Sequence, residues 1–279
     1  MRSKIYRILI LSFVIFSFTL TGFAADKKCE SKWTAAPINL DASETEWQDV
    51  AYNEEGKFEV NYAFKNDSKY LYVLFKFNSP KFLSTIQYGG MTMYLDGQGK
   101  KKKDYRIRFL KKQVTAEEFI VILEKQRGTL SEEDKEKILI NPQYIHHAAE
   151  VTNKKAKGDR PENVEGDGTA TFRVQQTQQR TLIMEFAIPL ERLSAWSPGI
   201  GTTAGSPIKV GFEWGGASEE WKEAQLKGAA GRDSQARAGR ATGSATQERG
   251  SGGGLSGSMS RFRPKKYYFW VDVLLSDQQ

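Results

Sequence analysis

The stretch Ile38 to Phe77, INLDASETEWQDVAYNEEGKFEVNYAFKNDSKYLYVLFKF, decides the fold, because it carries the densest strand signal in the chain. Val60, Tyr62 and Phe64 alternate with Asn61, Ala63 and Lys65, the period-two pattern of a strand with one buried face. Asn66, Asp67 and Ser68 are turn formers, and Tyr70 to Phe77 repeats the aromatic and β-branched enrichment. Two such runs joined by a short polar turn predict a β-hairpin at the start of a sandwich. Upstream of it, Ser43 and the acids around Trp47 suggest a short helical turn, with Trp47 plugging one end of the sandwich.

Further strands are expected at Met91 to Asp96, Tyr105 to Leu110, Thr169 to Gln175, Thr181 to Leu190, Ile208 to Trp214 and Tyr267 to Leu275. Pro189 cannot donate to a ladder and should end its strand. Lys100 to Lys103 read as a solvated hairpin tip in preference to a phosphate or anionic-glycan site. Residues 111 to 168 break the pattern and read as an insertion with one or two short helices. Thr115-Ala116-Glu117-Glu118 and Ser131-Glu132-Glu133-Asp134 carry the capping residues. Residues 215 to 264 are rich in Gly, Ser, Ala and Arg with almost no large apolar residue after Leu226. Such a tract cannot bury enough surface to offset its ordering entropy, so a disordered Gly-rich loop is expected.

Ile38-Asn39-Leu40-Asp41, then Glu46-Trp47, then Asp67 before Tyr70-Leu71-Tyr72-Val73 form an ordered set of short motifs. Leu95-Asp96 ahead of a polar turn and Glu185-Phe186-Ala187-Ile188-Pro189-Leu190 continue it. Together they resemble the family 9 carbohydrate-binding-module-like domains, a branch of the DOMON-like sandwiches. Where that family carries Gly after the first Asp, this chain has Ala42. The resemblance implies an all-β antiparallel sandwich that binds a glycan and is not an enzyme. It also implies calcium as a cofactor, with Asp41, Glu46 and Asp96 as candidate oxygen ligands. Haem-binding DOMON cousins use Met and His axial ligands, and Met91, Met93 or Met184 with His146 is the corresponding set here.

Arg2, Lys4 and Arg7 precede the apolar run Ile8 to Phe18, and Gly22-Phe23-Ala24 offers small residues for a signal peptidase. Residues 1 to 24 therefore read as a signal peptide, residues 25 to 37 as an N-terminal arm and residues 38 to 275 as one sandwich domain. The apolar run is broken by Ser and Thr and falls short of the roughly 20 residues that a membrane span needs, so no stable span is expected after cleavage. A secreted or periplasmic bacterial envelope protein is the expectation. The chain has 279 residues and a net charge of +7; the three N-terminal cations leave about +4 on the remainder, which does not suggest a nucleic-acid partner. Cys29 is the sole cysteine, so no intrachain disulfide is available.

Catalytic constellations are scarce. His146 and His147 stand side by side, but no Gly-x-Ser-x-Gly elbow accompanies them, and as metal ligands with Glu150 they lack the usual wider spacing. A glycan or polysaccharide is the better-supported partner. Pyranose rings stack their C–H faces on aromatics, and Trp196, Trp214 and Trp221 sit in loops or at a strand end where such a face would lie. Core burial is the competing reading for each. The alternative is an envelope structural or protein-interaction sandwich without sugar binding, which keeps a protein partner open.

Overall fold

Strict alternation builds the centre of the molecule. The computed structural model describes residues 27–216 and 265–278. Within them β4 (Val60–Asn66) and β5 (Tyr70–Phe77) form the expected hairpin, with Val60 opposite Phe77 and Asn66 opposite Leu71. Asp67 makes the turn: its Oδ1 accepts from the Lys69 and Tyr70 amides at 2.7 and 2.6 Å, and its Oδ2 accepts from the Tyr72 hydroxyl at 2.9 Å. A short side chain that bonds the backbone two residues on is what fixes such a turn.

Two sheets stack face to face, and this hairpin lies in the second. The first runs in the order β1 (Lys27–Glu30), β12 (Lys266–Leu274), β11 (Pro207–Gly215), β6 (Met91–Asp96), β7 (Tyr105–Thr115), β8 (Gln143–Asn153). The second runs β2 (Lys32–Trp33), β4, β5, β10 (Leu182–Pro189), β9 (Thr171–Gln176), with β3 (Asn53–Glu55) also paired to β4. Their facing sides make the core: Tyr62, Phe64, Phe75 and Phe77 pack against Phe109, Phe212 and Trp214, all fully buried. Each such side chain contributes about 1.5–3 kcal/mol by leaving water, which lets a chain without a disulfide hold two layers.

The sandwich is all-β in its layers, as expected, but its sheets are mixed. β1 is parallel to β12, and β2 is parallel to β4. The cause is the N-terminal arm, which leaves one sheet at Glu30 and enters the other at Lys32, crossing between layers at Ser31. The crossing is fastened by Asn66 and Ser276. Asn66 Nδ2 donates to the Ser276 carbonyl at 2.9 Å, and the Ser276 amide donates to Asn66 Oδ1 at 3.0 Å and to Ser31 Oγ at 2.9 Å. Ser31 Oγ donates to Asn66 Oδ1. Cys29 on this arm is buried in the main core beside the Tyr62 hydroxyl.

The insertion is more regular than its sequence suggested. β7 runs on to Thr115, whose hydroxyl accepts from the Glu118 amide at 3.2 Å while Glu118 Oε2 accepts from the Thr115 amide at 2.9 Å. This capping box starts a helix at Ala116–Arg127, and Ser131 caps a second at Glu132–Leu139. A third helix, Leu83–Gly89, precedes β6. β7 and β8 are therefore one long hairpin with two helices between its arms. Residues 1–26 and 217–264 lie outside the described residues, and with them the expected signal peptide and nearly all of the expected Gly-rich loop.

Trp47 does not plug an end of the sandwich. Ala63, Tyr72, Leu74, Ile183 and Ala187 project from the outer face of the second sheet, and Trp47 and Ala42 are buried on them as a second, smaller core. Glu185, from the same face and fully buried, anchors this cover. Its Oε2 accepts from the Asp41 and Ala42 amides at 3.0 and 2.9 Å, and its Oε1 accepts from Trp47 Nε1 at 2.8 Å. Burial raises the Glu185 carboxyl pKa, and the three donors pull against that rise. Ala42 has φ of 61°. The left-handed turn that favours glycine is thus made here by alanine.

Candidate functional site

Of the sequence-predicted tryptophans, the two within the described residues, Trp196 and Trp214, do not form one surface. Trp214 is 1% exposed and packs edge-on to Phe58 and Phe77 at 5.3 Å and to Phe82 at 5.6 Å, with Tyr267 stacked on it at 5.7 Å. Its alternation places it on the inner side of β11, so it has no face to offer a sugar. Trp221 lies outside the described residues. Trp196 is half-buried in the loop after β10. That loop is fixed from below: Tyr105 donates its hydroxyl proton to the Ser197 carbonyl at 2.8 Å, and Arg192 lies 3.5 Å over the Tyr105 ring.

The three acids expected to bind calcium are likewise apart. Asp41 and Glu46 belong to the cover on the second sheet, while Asp96 ends β6 in the first. Asp96 already accepts from the Gln98, Lys100 and Lys102 amides at 2.9, 2.8 and 3.0 Å, and Asp41 Oδ1 accepts from the Ser43 amide at 2.7 Å. Among the described residues no group of three or more His, Cys, Asp or Glu side chains is arranged to hold a metal. Met91, Met93 and Met184 are buried in the main core, whereas His146 points outward from β8, so the Met–His axial set does not assemble.

The register of the first sheet brings together a different set. On its outer face, pairing places Trp270 opposite Gly211, Gly211 opposite Tyr94 and Tyr94 opposite Arg106, one transverse row across four strands. Tyr268, Glu213, Thr92 and Arg108 form the next row. The inner partners of these residues, Val271, Val210, Met93, Leu95 and Ile107, fill the core, so alternation fixes the outward direction.

Gly211 shapes this face. A Cβ placed on it would stand 3.0 Å from Cδ2, Cε2 and Cζ2 of Trp270 alike. A point equidistant from three atoms of the six-membered ring lies on that ring's axis, so the indole covers Gly211 face-on and presents its other face away from the sheet. Tyr94 lies beside it, ring centroids 6.0 Å apart and planes inclined by 32°. Tyr268 is 55% exposed. Lys103 spans the two tyrosines, its ammonium 5.1 Å from the Tyr94 ring and 4.4 Å from the Tyr268 ring.

Polar groups ring these aromatics. Lys209 pairs with Asp272, and Lys266 Nζ lies 2.8 Å from Glu213 Oε1. Burial raises the Tyr94 hydroxyl pKa, aided by Glu213, and the hydrogen bond and charge of Arg106 oppose the rise. The face thus combines flat apolar surface, hydroxyl groups and fixed charges, with no nucleophile–base pair among them. The chain gave one sign of it: in Tyr267 to Leu275 the alternation sends Tyr268, Trp270 and Asp272 to the side opposite the core. The Gly211–Trp270 contact depends on register, which no local pattern reveals.

No family model matches the chain, and no curated protein matches it. Among solved structures it is similar to a carbohydrate binding module family 9 domain from Caldicellulosiruptor kristjanssonii in complex with glucose. The identity is 13% and the TM-score 0.34, over 70% of this chain and 81% of that one. A second structure of that module, in complex with cellotriose, gives 13% identity and a TM-score of 0.33 over 70% of this chain and 80% of that one.

Proposed function

We propose that the protein is a secreted or periplasmic, non-catalytic glycan-binding module whose ligand lies on the outer face of the first sheet. The observation that carries this reading is the Trp270 indole held face-on over Gly211, with the exposed Tyr268 on the same face and the buried Tyr94 packed beside it. A pyranose ring presents a patch of C–H bonds that packs on such a face, and its equatorial hydroxyls reach the polar groups at the rim. Seating on Gly211 and against Tyr94 lowers the ordering cost that a free Trp side chain would add on binding. The test is titration with oligosaccharides of Trp270→Ala beside Trp196→Ala, with folding checked by circular dichroism. Loss of binding in the first and retention in the second is expected; full binding by folded Trp270→Ala would remove this face from the site.

A second reading is favoured by a separate observation. The insertion exposes Val121, Leu139, Ile140 and Ile145, at 51, 49, 78 and 57%. Exposed apolar side chains gathered in one insertion in this way suit a protein partner. Pull-down by the isolated protein that survives Trp270→Ala and is lost in Ile140→Asp would favour this alternative.

A further inference from the structure

Resting on the glycan reading of this face, we infer that its ligand is an acidic glycan, one whose sugar rings carry carboxylate or sulfate groups, with Lys103 and Arg106 as the anion-reading residues.

Charge pairing on the face selects these two. Lys209 is matched by Asp272, Lys266 by Glu213, Lys112 by Glu150, and Arg108 lies 3.9 Å from Glu150. Among the described residues no carboxylate pairs with Lys103 or Arg106. The ammonium of Lys103 sits over the Tyr94 and Tyr268 rings, and Arg106 stands directly opposite Tyr94 in the transverse row. Both cations therefore border the aromatic surface and keep uncompensated positive charge there. A neutral sugar stacked on Trp270 would leave that charge unused. An acidic sugar would set its anionic group, which stands at the ring edge, against it.

The row geometry agrees with this placement. From Trp270 to Arg106 the sheet crosses three strand spacings, about 14 Å at about 4.8 Å each, long enough for more than one sugar ring. A guanidinium donates two parallel hydrogen bonds to a carboxylate or sulfate, and a cation beside desolvated aromatic surface interacts more strongly than one in open water.

The experiment titrates the mature chain with oligogalacturonate, with a cello-oligosaccharide of equal length, with dextran sulfate and with polyglutamate, at 25 mM and 500 mM NaCl. At low salt, binding of the uronate about tenfold tighter than the neutral oligomer is expected, consistent with one or two charge-assisted contacts. At high salt the gap should close by screening. Lys103→Gln and Arg106→Gln should narrow it too, by weakening uronate binding more than neutral-sugar binding, whereas Trp270→Ala should weaken both. Preference for dextran sulfate would support the acidic class and assign the group as sulfate. Equal affinity for charged and neutral oligomers, or an unchanged preference in the folded Lys103→Gln Arg106→Gln double variant, would overturn the inference while leaving the platform. Polyglutamate binding as tightly as the uronate would also overturn it, because a charge patch alone would then suffice. Failure of every saccharide to bind would instead remove the glycan reading itself.

Discussion

The Trp270 indole rests face-on over the Cα of Gly211, and the missing Cβ of one residue is what sets the ring plane of the other. Gly211→Ala should therefore act on the face and spare the fold. Its φ is not in the left-handed region, and alanine is no worse than glycine in a strand, so stability should change by no more than about 1 kcal/mol. The new methyl meets three ring atoms at 3.0 Å, which forces the indole to lift or turn. Oligosaccharide affinity should fall about tenfold at nearly unchanged Tm. A folded variant with undiminished affinity would show that ring orientation does not matter.

Trp214 should behave in the opposite way. It is fully buried among Phe58, Phe77, Phe82 and Tyr267, so Trp214→Ala opens a cavity in the main core and should cost about 3–5 kcal/mol. Chemical denaturation measures this directly. At temperatures where the variant is still folded, its sugar affinity should match the parent's, and a selective loss of binding would return Trp214 to the site.

How far these elements could be read from sequence depends on the range of the interaction that makes them. The β4–β5 hairpin is local: alternation flanking Asn66-Asp67-Ser68 specifies both strands and the turn. The helix caps at Thr115 and Ser131 are local as well. Trp47 was legible as a core residue but not as the lid of a second core, because its partners Glu185 and Ile183 are far along the chain. The parallel pairings of β1 with β12 and of β2 with β4 were invisible for the same reason, since Ser31 meets Asn66 and Ser276 across long stretches of chain. The expectation for Trp214 failed on one physical point. Placing Trp214 at a strand end says nothing about which side it faces, while the alternation of Val210, Phe212 and Trp214 assigns it to the core.

Glu185 gives a sharp test of the cover over the second sheet. Both carboxylate oxygens only accept, from the Asp41 and Ala42 amides and from Trp47 Nε1. Glutamine must turn its amide NH₂ toward one of these donors, so Glu185→Gln should cost about 1–3 kcal/mol despite its matched shape. Hydrogen exchange should quicken at the Ala42 amide and the Trp47 indole while the core strands stay protected. A variant as stable as the parent would mean that the cover is held by packing alone.

Asn66 is the corresponding test for the arm. Fully buried, it accepts from Ser31 and Ser276 and donates to Ser276 and Asp67. Asn66→Ala strands several of these groups, for which a loss of about 2–3 kcal/mol is expected. Exchange should accelerate over residues 27–33, and Cys29 should become reactive to a thiol reagent as the arm detaches. Continued protection of Cys29 would show that its burial beside Tyr62 holds the arm without the Asn66 fastening.

His147 links the two edge strands, its ring meeting Phe172 of β9 edge-on at 5.0 Å. Its pKa is lowered to about 4, first by burial and then by Arg173, Lys111 and His146. A base whose folded pKa lies below the unfolded value of about 6.5 is neutral in the fold and gains a proton on unfolding. Its contribution is full above about pH 6.5 and is lost as pH falls toward 4. His146 is lowered too, by burial and then Lys112, and adds in the same direction. Allowing for partial solvent exposure, lowering the pH from 7 to 4.5 should cost about 1 kcal/mol through His147. That window stays above the titration of Asp49, which Lys32 and Lys65 hold at about 2. Urea midpoints at pH 7 and 4.5 should therefore differ more for the parent than for His147→Phe, which keeps the ring contact and removes the charge. An equal drop in both proteins would assign the acid sensitivity elsewhere, and an NMR titration of the His147 ring with a midpoint near 6.5 would contradict the burial argument directly.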